Sequence, residues 1–281
     1  MGNGRDGSDG APEARERSET GGWTPARTWV AGIVSAVLVA GIGVVFTSWY
    51  NAAGTDVVDR ISGAAPVTIG HVSVETGDVP LALRMPVTDP DGRRVLLGGH
   101  VTPAERQALL TRHKAAPIGG TIITVVLTGR RAGVRIIDVK PRVLAREPRS
   151  AGAYLGANFG GEVSTVEIRA DLDAAAPRFT TRKEPDVRYF GRKQIDLKKD
   201  ERVTLSLEVE AGQAYYEFDL LVTVLADERS EQLVINGPDG PFRVTGKVRD
   251  FRSFYSKSDQ GRWALMPTDQ VCELFPKAKR C

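Results

Sequence analysis

The sequence predicts a mainly β protein, an antiparallel β-sandwich behind a single transmembrane helix. Three observations carry that prediction. An uncharged stretch runs from Thr28 to Thr55, and nearly all of its first two thirds is apolar. Beyond residue 119 the apolar residues repeat with a period of two, the pattern of strands with one packed and one wet face. Turn signals separate those repeats, with no helical pattern between them. Composition agrees. The chain has 281 residues, of which 41% are hydrophobic and 26% charged, which excludes a wholly disordered chain, a collagen-like chain and a multi-pass transporter. Its formal charge of +3 is too near balance to mark a nucleic-acid binder.

Residues 1–27 are rich in Gly, Ser, Glu, Arg and Pro, with Trp23 the one large apolar side chain. Such a segment buries too little apolar surface to offset its ordering entropy, so a disordered cytoplasmic tail is expected. The span follows at 28–50. Trp29 to Phe46 is apolar except for Ser35. About 20 such residues at ~1.5 Å each cross a ~30 Å hydrocarbon core. Trp29 at one end and Trp49 and Tyr50 at the other suit the headgroup region. Arg15, Arg17 and Arg27 precede the span and only Arg60 follows closely, so the positive-inside rule leaves the N-terminus in the cytoplasm and the rest outside. The run is longer than the h-region of a cleaved signal peptide, which favours an uncleaved signal-anchor. A cleaved peptide, cut near Ala52-Ala53-Gly54, is the rival reading. Gly32, Ala36 and Ala40 form a small-residue stripe along the span, a candidate helix-packing face through which two copies or a membrane complex could assemble. Nothing else in the sequence supports a homodimer.

Residues 51–65 are small and polar and read as a linker. A strand/helix lead-in, packed on the sandwich, is expected over 66–118. Its first strand starts at Val67. Asp89-Pro90-Asp91-Gly92 reads as a turn. One helix follows, opened by the capping box Thr102-Pro103-Ala104-Glu105 and running to about His113.

The sandwich is expected over 119–255. Ile123, Val125 and Leu127 alternate with Thr124, Val126 and Thr128. Val166 and Ile168 alternate with Thr165, Glu167 and Arg169. Leu205, Leu207 and Val209 continue a stripe begun at Val203, and Tyr216, Phe218, Leu220, Val222 and Val224 form the longest one. Ile136-Ile137-Asp138-Val139 breaks strict alternation, which predicts a bulge with Val134, Ile136 and Val139 inward. The turn signals are Gly129 to Gly133, Gly160-Gly161, Ala211-Gly212 and Gly237-Pro238-Asp239-Gly240. Seven or more such strands point to an immunoglobulin-like topology, without the Cys…Trp…Cys signature of antibody domains.

Residues 256–281 form a C-terminal tail. Cys272 and Cys281 are the only cysteines. Both lie beyond the span, and an exported pair is most simply a structural disulfide. Thr268-Asp269 would cap a short helix that carries Cys272 and runs through Phe275.

No arrangement of residues calls for catalysis, a cofactor or a metal. There is no nucleophile elbow, no Ser-x-x-Lys and no phosphate-cradling loop. His71, His100 and His113 lack partners at zinc-ligand spacing. The pairs Asp171/Asp173 and Glu208/Glu210 place two carboxylates on one strand face, the arrangement a glycan hydrolase or calcium site could use. Glu208 and Glu210, however, lie on the wet face of an amphipathic strand. Two stretches are basic: 129–150, and 178–202 interleaved with Phe179, Tyr189 and Phe190. From them Arg130, Arg131, Arg182, Lys183, Arg188, Arg192 and Lys193 are candidate contacts for an anionic surface.

Arg far outnumbers Lys, and Ala, Gly, Val and Asp are abundant, as in the product of a GC-rich coding sequence. The span at 29–49, with Val125-Val126-Leu127-Thr128-Gly129-Arg130-Arg131 and Val134-Arg135-Ile136, resembles uncharacterised single-pass membrane proteins of actinobacteria that carry an exported β-rich domain. That resemblance implies a cell-membrane location and no activity. The expectation is a non-enzymatic, membrane-anchored, extracytoplasmic interaction module. Its partners would be the membrane and an envelope protein or anionic wall polymer, not nucleic acid. The alternatives are a wall- or glycan-processing hydrolase using the loop carboxylates, and a structural subunit of a membrane complex.

Overall fold

The computed structural model describes residues 65–75, 79–157, 167–258 and 262–281. The tail at 1–27, the span at 28–50 with Gly32, Ala36 and Ala40, and nearly all of the linker lie outside the described residues, as do Gly160-Gly161, Thr165 and Val166. No helix among the described residues is long and apolar enough to cross a membrane. The described residues form three sheets with few helices.

Sheet I has the order β1 (Val67–Val74), β4 (Gly120–Gly129), β10 (Arg202–Glu210), β7 (Ile168–Asp171), β8 (Thr180–Thr181). Sheet II runs β12 (Arg229–Ile235), β11 (Tyr215–Ala226), β5 (Val134–Glu147), β9 (Ile195–Leu197). A further strand, β13 (Phe242–Thr245), pairs with the first residues of β11 on the side that β12 occupies further along. The alternation in the sequence sets which residues face inward. Ile123, Val125 and Leu127 of sheet I and Tyr216, Phe218, Leu220, Val222 and Val224 of sheet II are buried in one shared core. Side chains two apart on a strand share a face, so each such stripe packs as a unit.

The bulge falls where the broken alternation places it. Thr223 pairs with Asp138 and Val224 with Ile136, which leaves Ile137 as the extra residue. Val134, Ile136 and Val139 are all buried. A second irregularity, at Leu144 opposite Glu217 and Phe218, was not read from the sequence.

Sheet III was not read from the sequence at all. Its order is β15 (Trp263–Leu265), β14 (Ser253–Lys257), β6 (Ala153–Leu155), β2 (Leu81–Leu83), β3 (Ala116–Pro117). It draws strands from the lead-in, from within 119–255 and from the tail. Its central strands are buried on both faces. Leu81, Leu83, Ala153, Leu155 and Tyr255 pack on one side. Ala82, Tyr154 and Phe254 pack on the other. With both faces apolar and only two to five residues per strand, no period-two contrast exists to be seen.

Four expectations need correction. The Asp89–Gly92 turn is the start of a helix, α1 (Pro90–Leu97): Asp89 is its N-cap, accepting from Gly92 N, and Pro90 fills the first turn. The lead-in therefore holds two helices, the second being the expected α2 (Pro103–Arg112) with its full capping box. Asp-Pro serves a helix start as well as a turn, because Pro pre-sets φ for both. The strand sought over 165–169 spans Ile168–Asp171 among the described residues. The pairing is not purely antiparallel, since β7 runs parallel to β10 and β6 parallel to β14. Finally, α4 (Thr268–Leu274) has Pro267 at its N-cap and no side-chain cap, so Thr268 and Asp269 are its first residues rather than its cap. A short helix, α3 (Tyr189–Arg192), lies between β8 and β9.

Candidate anion-binding surface

The segment between β8 and β9 is anchored by aromatic packing. Phe190 on α3 is buried in the shared core, 6.4 Å from Phe179 and 5.1 Å from Tyr189 between ring centroids. The backbone N–H of Tyr189 donates to the Phe179 carbonyl at 2.8 Å. With Phe190 turned inward, the polar residues around it face outward. Arg182, Lys183, Arg188, Arg192 and Lys193 line one groove of about 820 Å³. Glu167 and Glu184 are the carboxylates in that lining, with Tyr189 and Val187 as its larger apolar surface.

The five cations are held differently. Arg192 Nη1 donates to Glu184 Oε1 at 2.9 Å, and Arg182 Nη2 to Glu208 Oε2 at 3.1 Å. Lys193 Nζ sits 5.5 Å from the Tyr189 ring centroid, within cation–π range. Lys183 and Arg188 have no carboxylate partner among the described residues. The groove is thus positive overall, and its ion pairs are exposed enough to exchange partners at little cost.

The structure does not bring Arg130 and Arg131 into this groove. Arg130 Nη1 is 3.4 Å from Asp200. Arg131 is only 12% exposed and pairs with Glu231 at 3.0 Å and Asp227 at 3.5 Å. It serves the β4–β5 and β11–β12 turns rather than a surface. Sequence distance alone separated the two basic stretches, and burial of one arginine was invisible to it.

The carboxylate pairs have structural roles. Asp173 accepts from Gly212 N at 2.6 Å, Gln213 N at 3.0 Å and the Tyr216 hydroxyl at 2.7 Å. Asp171 accepts from Asp173 N at 2.8 Å. Burial pushes the Asp173 carboxyl up, but those hydrogen bonds and the Arg146 charge outweigh it and hold it below the usual carboxylate range. The same contact, with burial acting first, pushes the Tyr216 hydroxyl up to about 12. Glu210 is 3.6 Å from Arg169 on the neighbouring strand. His71 lies on β1, His113 caps the end of α2 and His100 lies between α1 and α2. No cluster of three metal-ligating side chains occurs among the described residues.

Cys272 and Cys281 form a disulfide with 5.5 Å between their Cα atoms. It closes the chain after α4, whose Val271, with Phe275 and Ala278 beyond it, packs into sheet III against Tyr154 and Phe254. The fold and site together define a mainly β protein with a cationic groove. No protein-family model, curated protein or solved structure matches the chain.

Proposed function

We propose that the chain is a membrane-anchored binding module of the cell envelope, its β-rich unit outside the cytoplasm, and that the groove at Arg182–Lys193 engages an anionic envelope polymer. The observation that carries this reading is the five-cation groove around Tyr189. A phosphate- or carboxylate-bearing polymer suits an open groove that holds several exchangeable cations, since attraction there is summed over many weak contacts. The uncharged stretch at 28–50 supports the anchor, and the excess of Arg on its N-terminal side supports the orientation. The shared core of sheets I and II supports an immunoglobulin-like sandwich, from which the parallel β7–β10 pair is a departure. The commitment of both Asp173 oxygens to the β10–β11 turn and Tyr216 favours binding over glycan hydrolysis.

Full-length protein in phosphatidylcholine discs should bind poly(glycerol phosphate), with affinity that falls steadily as salt rises, and should ignore neutral dextran. The double variant Arg188→Glu, Lys193→Glu should weaken that binding at least tenfold, whereas Arg130→Glu should change it less than twofold. Equal binding of dextran, or a double variant that binds like the parent, would sink the reading. For orientation, an impermeant thiol reagent on intact cells should label Cys272 and Cys281 only after reduction. Absence of labelling even after reduction, or protection from an external protease, would place the unit on the other side, and labelling without reduction would refute the disulfide.

A further inference from the structure

A second cavity lies away from this groove, between α2 and sheets II and III. Pro103, Arg106, Gln107, Leu110 and Thr111 line it from the helix. Their spacing of three, four, seven and eight puts them on one helical face. Leu109, off that face, is buried in the core beneath. The opposite wall is Leu81, Pro117, Arg243, Lys257 and Trp263, from five different strands. Regular elements therefore build most of the described lining on both sides, Val101 and Ala115 joining from the chain flanking α2, and the capping box at Thr102 fixes where the helix begins.

The lining has two chemistries. Arg106, Arg243 and Lys257 bring three cations, and no carboxylate stands among the described lining residues. Trp263, Leu81, Leu110 and Pro117 bring an apolar floor. The Arg106 guanidinium lies 5.5 Å from the Trp263 ring centroid. Trp263 is itself fixed, because its indole N–H donates to the Gly156 carbonyl at 3.3 Å. Arg243 is largely buried, with Nε 3.5 Å from Glu217 and making no hydrogen bond. Glu217 also pairs with Lys114 at 3.1 Å, so Lys114, Arg243 and Glu217 together keep a net positive charge. The volume, about 360 Å³, is in the range of small-molecule sites. A smaller hollow of about 250 Å³, shared at Gln107, Ala115, Pro117 and Arg243, extends it toward the Gly237–Phe242 turn.

We propose that this cavity binds a small anionic amphiphile, a phosphate or like anion joined to a compact apolar body. The cations take the anion and the Trp263–Leu110 surface takes the apolar part. The inference does not depend on the polymer-binding groove. The test is calorimetric titration of the full-length protein in phosphatidylcholine discs with phenyl phosphate, phenol and inorganic phosphate. Phenyl phosphate should bind at least tenfold more tightly than either fragment. Arg243→Gln and Lys257→Gln should each weaken it at least tenfold. Leu110→Glu, which sets a negative charge in the cavity on a half-buried helix position, should abolish binding, with a modest fall in melting midpoint for the core contact it gives up and an unfolding transition that stays cooperative. The groove variant Arg188→Glu, Lys193→Glu should bind phenyl phosphate as the parent does. Phosphatidic acid in the discs that competes with phenyl phosphate would assign the natural ligand to lipids, and binding undisturbed by it to soluble compounds; either upholds the site. The proposal is overturned if phenyl phosphate fails to bind at millimolar concentration or binds no better than phenol. It is equally overturned if the cavity variants bind like the parent or the groove variant loses binding.

Discussion

Asp173 shows how one side chain can be read as chemistry in the sequence and as architecture in the fold. Its three hydrogen bonds hold the loop after β7 against the β10–β11 turn and Tyr216. Because its folded-state value lies below the unfolded one, it adds stability at neutral pH that is lost as pH falls through the folded value. Asp173→Asn should therefore cost about 1–3 kcal/mol at pH 7, a gap that narrows below about pH 4. Urea melts at pH 7 and at pH 2.5 measure both, and a gap independent of pH would refute the account. Tyr216→Phe, losing the same contact from the other side, should cost about 1 kcal/mol at pH 7. Gly152 is constrained in another way. A Cβ there would lie 2.4–2.6 Å from the Met85 backbone, which cannot swing aside as a side-chain tip can. Gly152→Ala should cost about 1–3 kcal/mol in the same melts.

At the scale of the element, α2 depends on its ends. Thr102 Oγ1 accepts from Glu105 N at 3.2 Å, and Glu105 Oε2 accepts from Thr102 N at 2.9 Å. Thr102→Ala should cost about 1 kcal/mol, read as a lowered melting midpoint. The capping box and its spacing to Leu109 made this helix legible. Helix α1 carries the same kind of signal, Asp then Pro, but its face toward the core is short, with only Gly92 and Leu96 buried, so no helical period marks it in the sequence. The long strands were legible for the opposite reason. In β4 every second residue is buried along the whole strand, β10 repeats this from Leu205 to Val209, and β11 keeps every second residue buried with further burial in between. Half of the candidate groove was legible too. The run Arg182 to Lys193 is local in sequence, and its interleaved aromatics marked where it would be pinned.

Over the whole described unit, the third sheet ties distant segments together. Its strands come from residues as far apart as Leu81 and Leu265. The tail is held by an aromatic cluster, with Phe275 5.0 Å from Tyr154 and 5.2 Å from Phe254 between centroids, and by the disulfide beyond it. Closing so short a loop should contribute about 2–3 kcal/mol. Cys281→Ser, or reduction of the parent, should lower stability by that amount, and the variant should then show no further loss on reduction. Phe275→Ala should cost about 3–5 kcal/mol, because the cavity it leaves is lined by rings fixed to strands.

What depends on neighbours along the chain was written in the sequence: the uncharged stretch, the period-two strands of sheets I and II, the bulge at Ile137, the capped helix α2 and the cysteine pair. Each is a local pattern whose physical cause lies within a few residues. What depends on partners far away came from the three-dimensional fold. It placed sheet III, whose strands are too short and too evenly buried to show a period. It made two strand pairs parallel, separated Arg131 from the groove by burying it, and gathered Arg106, Arg243, Lys257 and Trp263 into one cavity. Those four residues are spread over more than half of the described chain. No spacing rule relates them, because their proximity follows from strand order rather than from sequence.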